Sequence, residues 1–185
     1  TQELTAEKVV NDYTEEKLED IIFHYGEERF AKQIARNICK QRKEKRIETT
    51  EELVEIIKVS IPKAKQNEGH PAKRTFQAIR IEVNNELEPL KQTILDSIQS
   101  LKEQGRLAVI TFHSLEDRAV KEAYVEAEGR CTCPKDLPYC ICNYVSYGKI
   151  ITKKPILPSQ KEQEENTRSK SAKLRIFEKI DKKNQ

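Results

Sequence analysis

The run Leu107-Ala108-Val109-Ile110-Thr111-Phe112 limits the fold more than any other feature of the chain. It is nearly continuous in apolar residues and is preceded by Gly105. That is the pattern of a strand buried on both faces of a parallel sheet. A helical stripe, Ile94, Ile98 and Leu101, comes before it. The segment 115–127, which Ser114 and Asp117 can cap, follows as another helix. Helix–strand–helix order is the grammar of α/β folds. A sheet built around such a strand needs several neighbours, and only two other segments qualify, 147–154 and 172–177. In the second, Ala172, Leu174 and Ile176 alternate with Lys173 and Arg175. The stretch Gln160 to Lys170 between them reads as a solvated loop. The shortage of partners predicts that strands from an N-terminal part outside these 185 residues complete the sheet.

The first seventy residues carry no strand signal. Thr14 can cap a helix whose apolar face is Leu18, Ile21, Ile22 and Tyr25, with Gly26 at its stop. Phe30, Ile34 and Ile38 continue at four-residue steps, with Cys39 beside them as a small hydrophobe. His24, between Phe23 and Tyr25, reads as structural. Thr49 and Glu52 form a capping box ahead of Leu53, Ile56 and Ile57, and Pro62 ends that helix. The result is a small helical bundle over 1–70. A polar hinge around 62–71 leads to a long apolar stripe, Phe76, Ile79, Val83, Leu87 and Leu90. Pro89 must kink or restart that helix because it lacks an N–H donor.

Composition excludes several classes. No stretch approaches 18 uncharged apolar residues, so a membrane span is not expected. The five glycines are far apart: the closest pair, Gly129 and Gly148, is nineteen residues apart. Neither a G-x-G-x-x-G turn nor a P-loop can be built from them. The net charge is only +3, from 34 basic and 31 acidic residues, so a nucleic-acid partner must be sought in local clusters. The chain contains no methionine and opens on Thr1. A processed product or a piece of a larger protein is the expectation. No basic-then-apolar leader opens it, and a cytoplasmic location is expected.

Cys131, Cys133, Cys140 and Cys142 form a C-x-C…C-x-C pattern. Four thiolates in twelve residues can wrap a tetrahedral structural zinc. Free thiols and two disulfides are the rival states, the latter disfavoured in a reducing compartment. Lys40, Arg42, Lys43, Lys45 and Arg46 form a basic run. It suits either a phosphate backbone or a solvated helix end.

Two long segments carry a resemblance. One is Gly69-His70-Pro71-Ala72-Lys73-Arg74-Thr75-Phe76 with its continuation to Asn84. The other is Gly105 to Arg118, which contains Phe112-His113-Ser114-Leu115-Glu116-Asp117. With Tyr25–Ala31, Lys154–Ser159 and Arg168–Arg175, they resemble the bacterial MraW/RsmH family over nearly the whole chain. The resemblance implies S-adenosylmethionine-dependent methylation of the exocyclic N4 of a cytidine in small-subunit (16S) ribosomal RNA. It also implies a Rossmann-like methyltransferase sheet with an inserted all-helical domain. On that reading 1–70 is the insert and 71–185 the C-terminal part of the Rossmann-like domain. The family's glycine-rich cofactor loop lies upstream of the matched region, so no cofactor-binding residue is expected in this chain. Alone, the chain is expected to be inactive. The partners implied are 16S rRNA or the small ribosomal subunit and the missing N-terminal half; a homodimer is left open.

In open α/β sheets ligands sit at the carboxyl ends of strands, which places His113 and Ser114 at the site mouth. His113 suits proton acceptance or contact with a base edge, or is a packed, hydrogen-bonded histidine. Ser114 doubles as a helix cap. Lys73, Arg74, Arg80 and Arg118 are the candidates for RNA contact, Arg118 being equally suited to pairing with Glu122. Phe76, between Lys73 and Arg80, suits either the core or a base-stacking patch. The competing reading is a non-catalytic, zinc-stapled RNA-binding accessory of the ribosome.

Overall fold

The computed structural model describes residues 4–66, 69–129 and 145–180. They fall into two compact units, Thr1–Glu86 and Leu87–Gln185.

The first unit is all helical: α1 (Ala6–Asp12), α2 (Glu15–His24), α3 (Ala31–Glu44), α4 (Thr50–Ser60), a 3₁₀ turn (Lys63–Lys65) and α5 (Lys73–Asn84). Caps set its boundaries. The Thr14 hydroxyl accepts the Lys17 N–H at the start of α2. Thr49 and Glu52 make the reciprocal capping box of α4. The predicted apolar stripes converge on one core, with Leu18, Ile22, Ile34, Ile38 and Ile57 fully buried. Burying each such side chain contributes roughly 1.5–3 kcal/mol. Phe76 and Val83 pack on the same core, so α5 belongs to the bundle by its contacts, and the division falls after Glu86.

In the turn after α2 the left-handed residue is Glu27 (φ 50°), not Gly26. Gly26 serves a different need. A β-carbon there would lie 2.6 Å from the Ile22 carbonyl oxygen and 2.7 Å from that of Arg74. The turn therefore packs backbone to backbone against the start of α5.

The second unit holds α6 (Glu88–Ser100), β1 (Arg106–Thr111), α7 (Ser114–Glu128), β2 (Gly148–Ile150), α8 (Gln160–Glu165), a 3₁₀ turn (Thr167–Ser171) and β3 (Lys173–Lys179). As Pro89 required, α6 is a fresh helix with proline in its first turn, and α5 ends one residue before a left-handed Asn85. The described strands form one antiparallel sheet in the order β1-β3-β2, in which Val109 pairs with Arg175 and Ile150 with Phe177.

Three expectations need correction. First, β1 is antiparallel to its partner and is buried on one face only. Leu107 and Val109 pack with Ile94, Ile98, Val120, Tyr124 and Phe177. On the opposite side Ala108 is exposed, Ile110 is 59% exposed and Phe112 56%. A continuous apolar run does not reveal which face is covered, because both faces look alike in sequence. Second, the buried side of β3 is the odd-numbered one, with Arg175 and Phe177. A buried carboxylate partner, Asp117, makes this tolerable for Arg175. Third, Gln160–Lys170 contains a helix and a 3₁₀ turn where a loop was expected.

Candidate nucleic-acid interface

Within the first unit, the α2–α3 turn and the segment leading into α5 enclose a cleft of about 250 Å³. Gly26 lets the two backbones meet. The Gln77 amide then fastens the turn by donating to the Tyr25 carbonyl at 3.0 Å. Arg29, Lys65, Lys73 and Arg74 line the cleft together with His70 and one carboxylate, Glu28. The His70 Nδ1 accepts the Ala72 N–H at 3.3 Å, which leaves the ring proton of the neutral form on Nε2. Four cations around one concavity concentrate positive potential there.

Glu28 is the exception to that sign. Its side chain is only 5% exposed. Oε1 accepts the Phe30 N–H at 3.0 Å, while Oε2 lies 3.9 Å from Arg74 Nη1, too far for a hydrogen bond.

Of the RNA-contact candidates, Lys73 and Arg74 meet in this cleft. Arg80 sits further along α5, its guanidinium held in a two-pronged pair with Glu86 at 2.9 and 3.0 Å. Arg118 lies exposed on α7 in the other unit. The basic run is largely engaged within the fold. Arg42 donates to the Val10 and Tyr13 carbonyls, Lys45 pairs with Glu52, and Arg46 pairs with Glu7 and Asp12. Glu28, Arg29 and Lys65 escaped the sequence reading. No spacing rule links residue 28 to residue 74. The only signal was that both lie in segments carrying the family resemblance.

At the carboxyl end of β1 the cap of α7 is His113, where Ser114 and Asp117 were expected. His113 Nδ1 accepts the Glu116 N–H at 3.3 Å, and the Glu116 carboxylate accepts the N–H groups of Phe112 (2.8 Å) and His113 (3.3 Å). An imidazole nitrogen here does what a serine oxygen does elsewhere. The neutral ring therefore carries its proton on Nε2, and its one lone pair is engaged. Nε2 is 3.3 Å from Glu116 Oε1 but not aligned for a hydrogen bond, and the His113 side chain is 10% exposed. Ser114 is the first residue of α7 and half buried. Asp117 instead ties α7 to β3. Arg175 donates to both its oxygens at 2.6 and 3.1 Å, and Lys173 adds a contact at 3.3 Å. The Arg175 hydrogen bonds hold the Asp117 carboxyl below its ordinary value, against the opposing effect of burial.

Cys131, Cys133, Cys140 and Cys142 lie outside the described residues. No helix among the described residues is long and apolar enough to cross a membrane.

Residues 1–180 match the model of the MraW methylase family. The chain is 58% identical over 180 residues to ribosomal RNA small subunit methyltransferase H of Lachnospira eligens, covering 97% of this chain and 57% of that protein. It is likewise 58% identical over 179 residues to the enzyme of the same name from Clostridium botulinum (strain Kyoto / Type A2), covering 97% of this chain and 58% of the relative. For Brevibacillus brevis the identity is 52% over 178 residues, covering 96% and 57% respectively. The chain thus spans a little over half the length of the curated relatives it matches.

Proposed function

Because the chain belongs to the MraW methylase family, we propose that it is the substrate-side part of an S-adenosylmethionine-dependent enzyme that methylates the exocyclic N4 of a cytidine in small-subunit rRNA. The match along residues 1–180 carries this reading. The relatives reported above are named as methyltransferases, and none of those names supports a non-catalytic accessory role.

The residues of this chain do not by themselves fit the methyl donor. No two glycines lie close enough for a glycine-rich turn. Among the described residues no strand pairs with the outer edge of β1, where a neighbour would bring further loops to the strand ends. The exposed face at Ala108, Ile110 and Phe112 supports the same conclusion. In this proposal, strands encoded upstream pair with β1 and supply the cofactor cradle. The division into a helical insert and a Rossmann-like remainder belongs to the proposal, with α5 joined to the insert by its packing. The work of this chain is to bind the RNA and shape the strand end. Lys73 and Arg74 hold phosphate, and Arg118 is retained as a contact on the other unit. His113 keeps β1 and α7 in register as the helix cap, and its Nε2 is sealed from solvent. Its engaged lone pair makes it a poor acceptor for the amine proton.

The test compares this chain with the full-length protein that contains it. Full-length protein should bind S-adenosylmethionine by calorimetry and place a methyl group on N4 of a small-subunit rRNA cytidine, read by nucleoside mass spectrometry. The chain alone should give no binding heat. Micromolar binding by the chain alone overturns the assignment of the cofactor cradle, and methylation at another atom overturns the assigned reaction.

A further inference from the structure

A second concentration of positive charge lies in the sheet unit, on the strap that joins β2 to β3. Residues 149–173, the strap with its flanking strand ends, hold seven basic and three acidic residues, a net of +4 where the whole chain has +3. Two segments that carry the family resemblance, Lys154–Ser159 and Arg168–Arg175, fall largely on it, and the function proposed above gives them no task. The strap is firmly built. Ile156 and Leu174 exchange N–H···O bonds of 2.9 Å in both directions. Thr152 is buried, and its Oγ1 accepts the Ile176 N–H at 2.8 Å. Ser159 caps α8 by accepting the Glu162 N–H. Ser169 is buried as well, and its hydroxyl donates to the Asn166 carbonyl at 2.8 Å.

This backbone turns its cations outward. From Thr152 to Ile156 the strap takes four steps while β3, from Ile176 to Leu174, takes two. The surplus bows residues 153–155 away from the sheet and leaves Lys153 and Lys154 exposed. In the 3₁₀ turn the sealed Ser169 sets Arg168 and Lys170 on either side of it, both exposed. Among the described residues none of these four side chains has a hydrogen-bond or ion-pair partner. The basic run of α3 differs, because Arg42, Lys45 and Arg46 are already bound to carbonyls and carboxylates. Unengaged cations on a fixed backbone suit a polyanion, since little chain freedom is lost when they engage it. The turn is also well placed. β3 starts at Lys173, which pairs with Thr111 at the carboxyl end of β1. The turn therefore meets the sheet at the end where ligands of open α/β sheets gather.

We propose that the β2–β3 strap is a second RNA-binding surface, carried by the sheet unit, on which Lys153, Lys154, Arg168 and Lys170 hold phosphates of the RNA. The inference rests on the RNA reading above and adds a surface to it. An acidic protein would match the same sign of charge, and the place of the strap at the strand end favours RNA, the substrate of the proposed reaction. Lysine and arginine contacts to phosphate carry no sequence information, so the contribution is uniform across sequences and sensitive to salt.

The experiment is fluorescence anisotropy with full-length protein and a labelled transcript of small-subunit rRNA, titrated at several salt concentrations. Arg168→Ala with Lys170→Ala should weaken binding about tenfold and lower the salt slope by about two ions. Lys153→Ala with Lys154→Ala should do the same. Lys102→Ala with Lys121→Ala is the control, since it removes two exposed cations that also lack partners among the described residues but lie off the strap. It should leave the slope unchanged. An unchanged slope for either strap pair overturns the proposal. So does an equal fall in the control, because the effect then belongs to net charge and not to the strap. Polyglutamate is titrated against the same variants, and strap substitutions that weaken its binding alone assign the surface to an acidic protein and overturn the RNA reading of it. Methyl transfer to the transcript is followed on the same preparations, where the strap pairs should raise KM for RNA and leave kcat unchanged. Transfer by the unaltered protein with unmoved slopes sinks this inference alone, whereas moved slopes without any transfer sink the enzymatic reading alone.

Discussion

The two units hold similar shares of apolar residues and use them in different ways. In the helical unit every predicted apolar stripe reaches the core, and much of the charge around α3 and α4 is paired across helices. The sheet unit buries one face of β1 against α6 and α7 and exposes Ile110 and Phe112 on the other. It also buries a two-pronged ion pair, Asp117–Arg175, whereas the core of the helical unit is mainly aliphatic, with Glu28, Ser60 and Thr75 as its buried polar residues. One unit buries its predicted apolar stripes with its own residues, although Phe23 and Val59 stay exposed on its surface. The other holds a strand whose edge and outer face are uncovered among the described residues, a state that soluble proteins usually avoid.

Asp117→Asn should have the largest effect. It strands Arg175 without a charged partner, and breaking a buried pair costs about 3–5 kcal/mol. Chemical denaturation of the unaltered and substituted proteins measures the loss. The pH dependence has a definite sign. The folded Asp117 value is depressed, so its stabilisation is present above the unfolded value of about 4 and is lost as pH falls through the lower folded value. Asp117→Asn should flatten that acid limb.

Ile34→Ala should cost about 2–5 kcal/mol, because the site is fully buried and ringed by other core residues. Hydrogen exchange read separately over the two units should show faster exchange in residues 4–66 and little change in 87–129. Equal loosening of both would erase the contrast between them.

A smaller effect is expected at the cleft. Lys73→Ala with Arg74→Ala should weaken RNA binding about tenfold and flatten its salt dependence by about two ions. Arg46→Ala should leave both quantities unchanged, since Arg46 already pairs with Glu7 and Asp12. Titrations at two salt concentrations distinguish the two outcomes.

Ile110→Lys should change the stability of the chain alone by no more than about 0.5 kcal/mol, because the side chain is already exposed. It should reduce aggregation of the chain and yet disrupt the full-length protein. Light scattering and thermal melting report on the two halves of that prediction.

Much of the helical unit was legible because its signals are local. The Thr49–Glu52 box and the Leu18–Ile21–Ile22 stripe each lie within one or two helical turns, and so does the Pro89 restart at the head of the other unit. The sheet was less legible because strand direction and the covered face depend on residues far away in sequence. Nothing near Arg175 announces that Asp117, on α7, will neutralise it. The His113 cap was missed because imidazole is an uncommon capping group, although Glu116 three residues later was the usual companion signal. At the cleft, Lys73 and Arg74 were legible as cations on a helix start. Glu28 was not, since its burial arises from the close approach that Gly26 permits between distant segments.

Amide exchange along β1 tests most directly whether upstream strands complete the sheet. In the chain alone, the N–H groups of residues 106–111 that point away from β3 should exchange quickly, and in the full-length protein they should become strongly protected. Equal exchange of these amides in both would contradict the account, because β1 would then be an edge strand in the complete molecule as well.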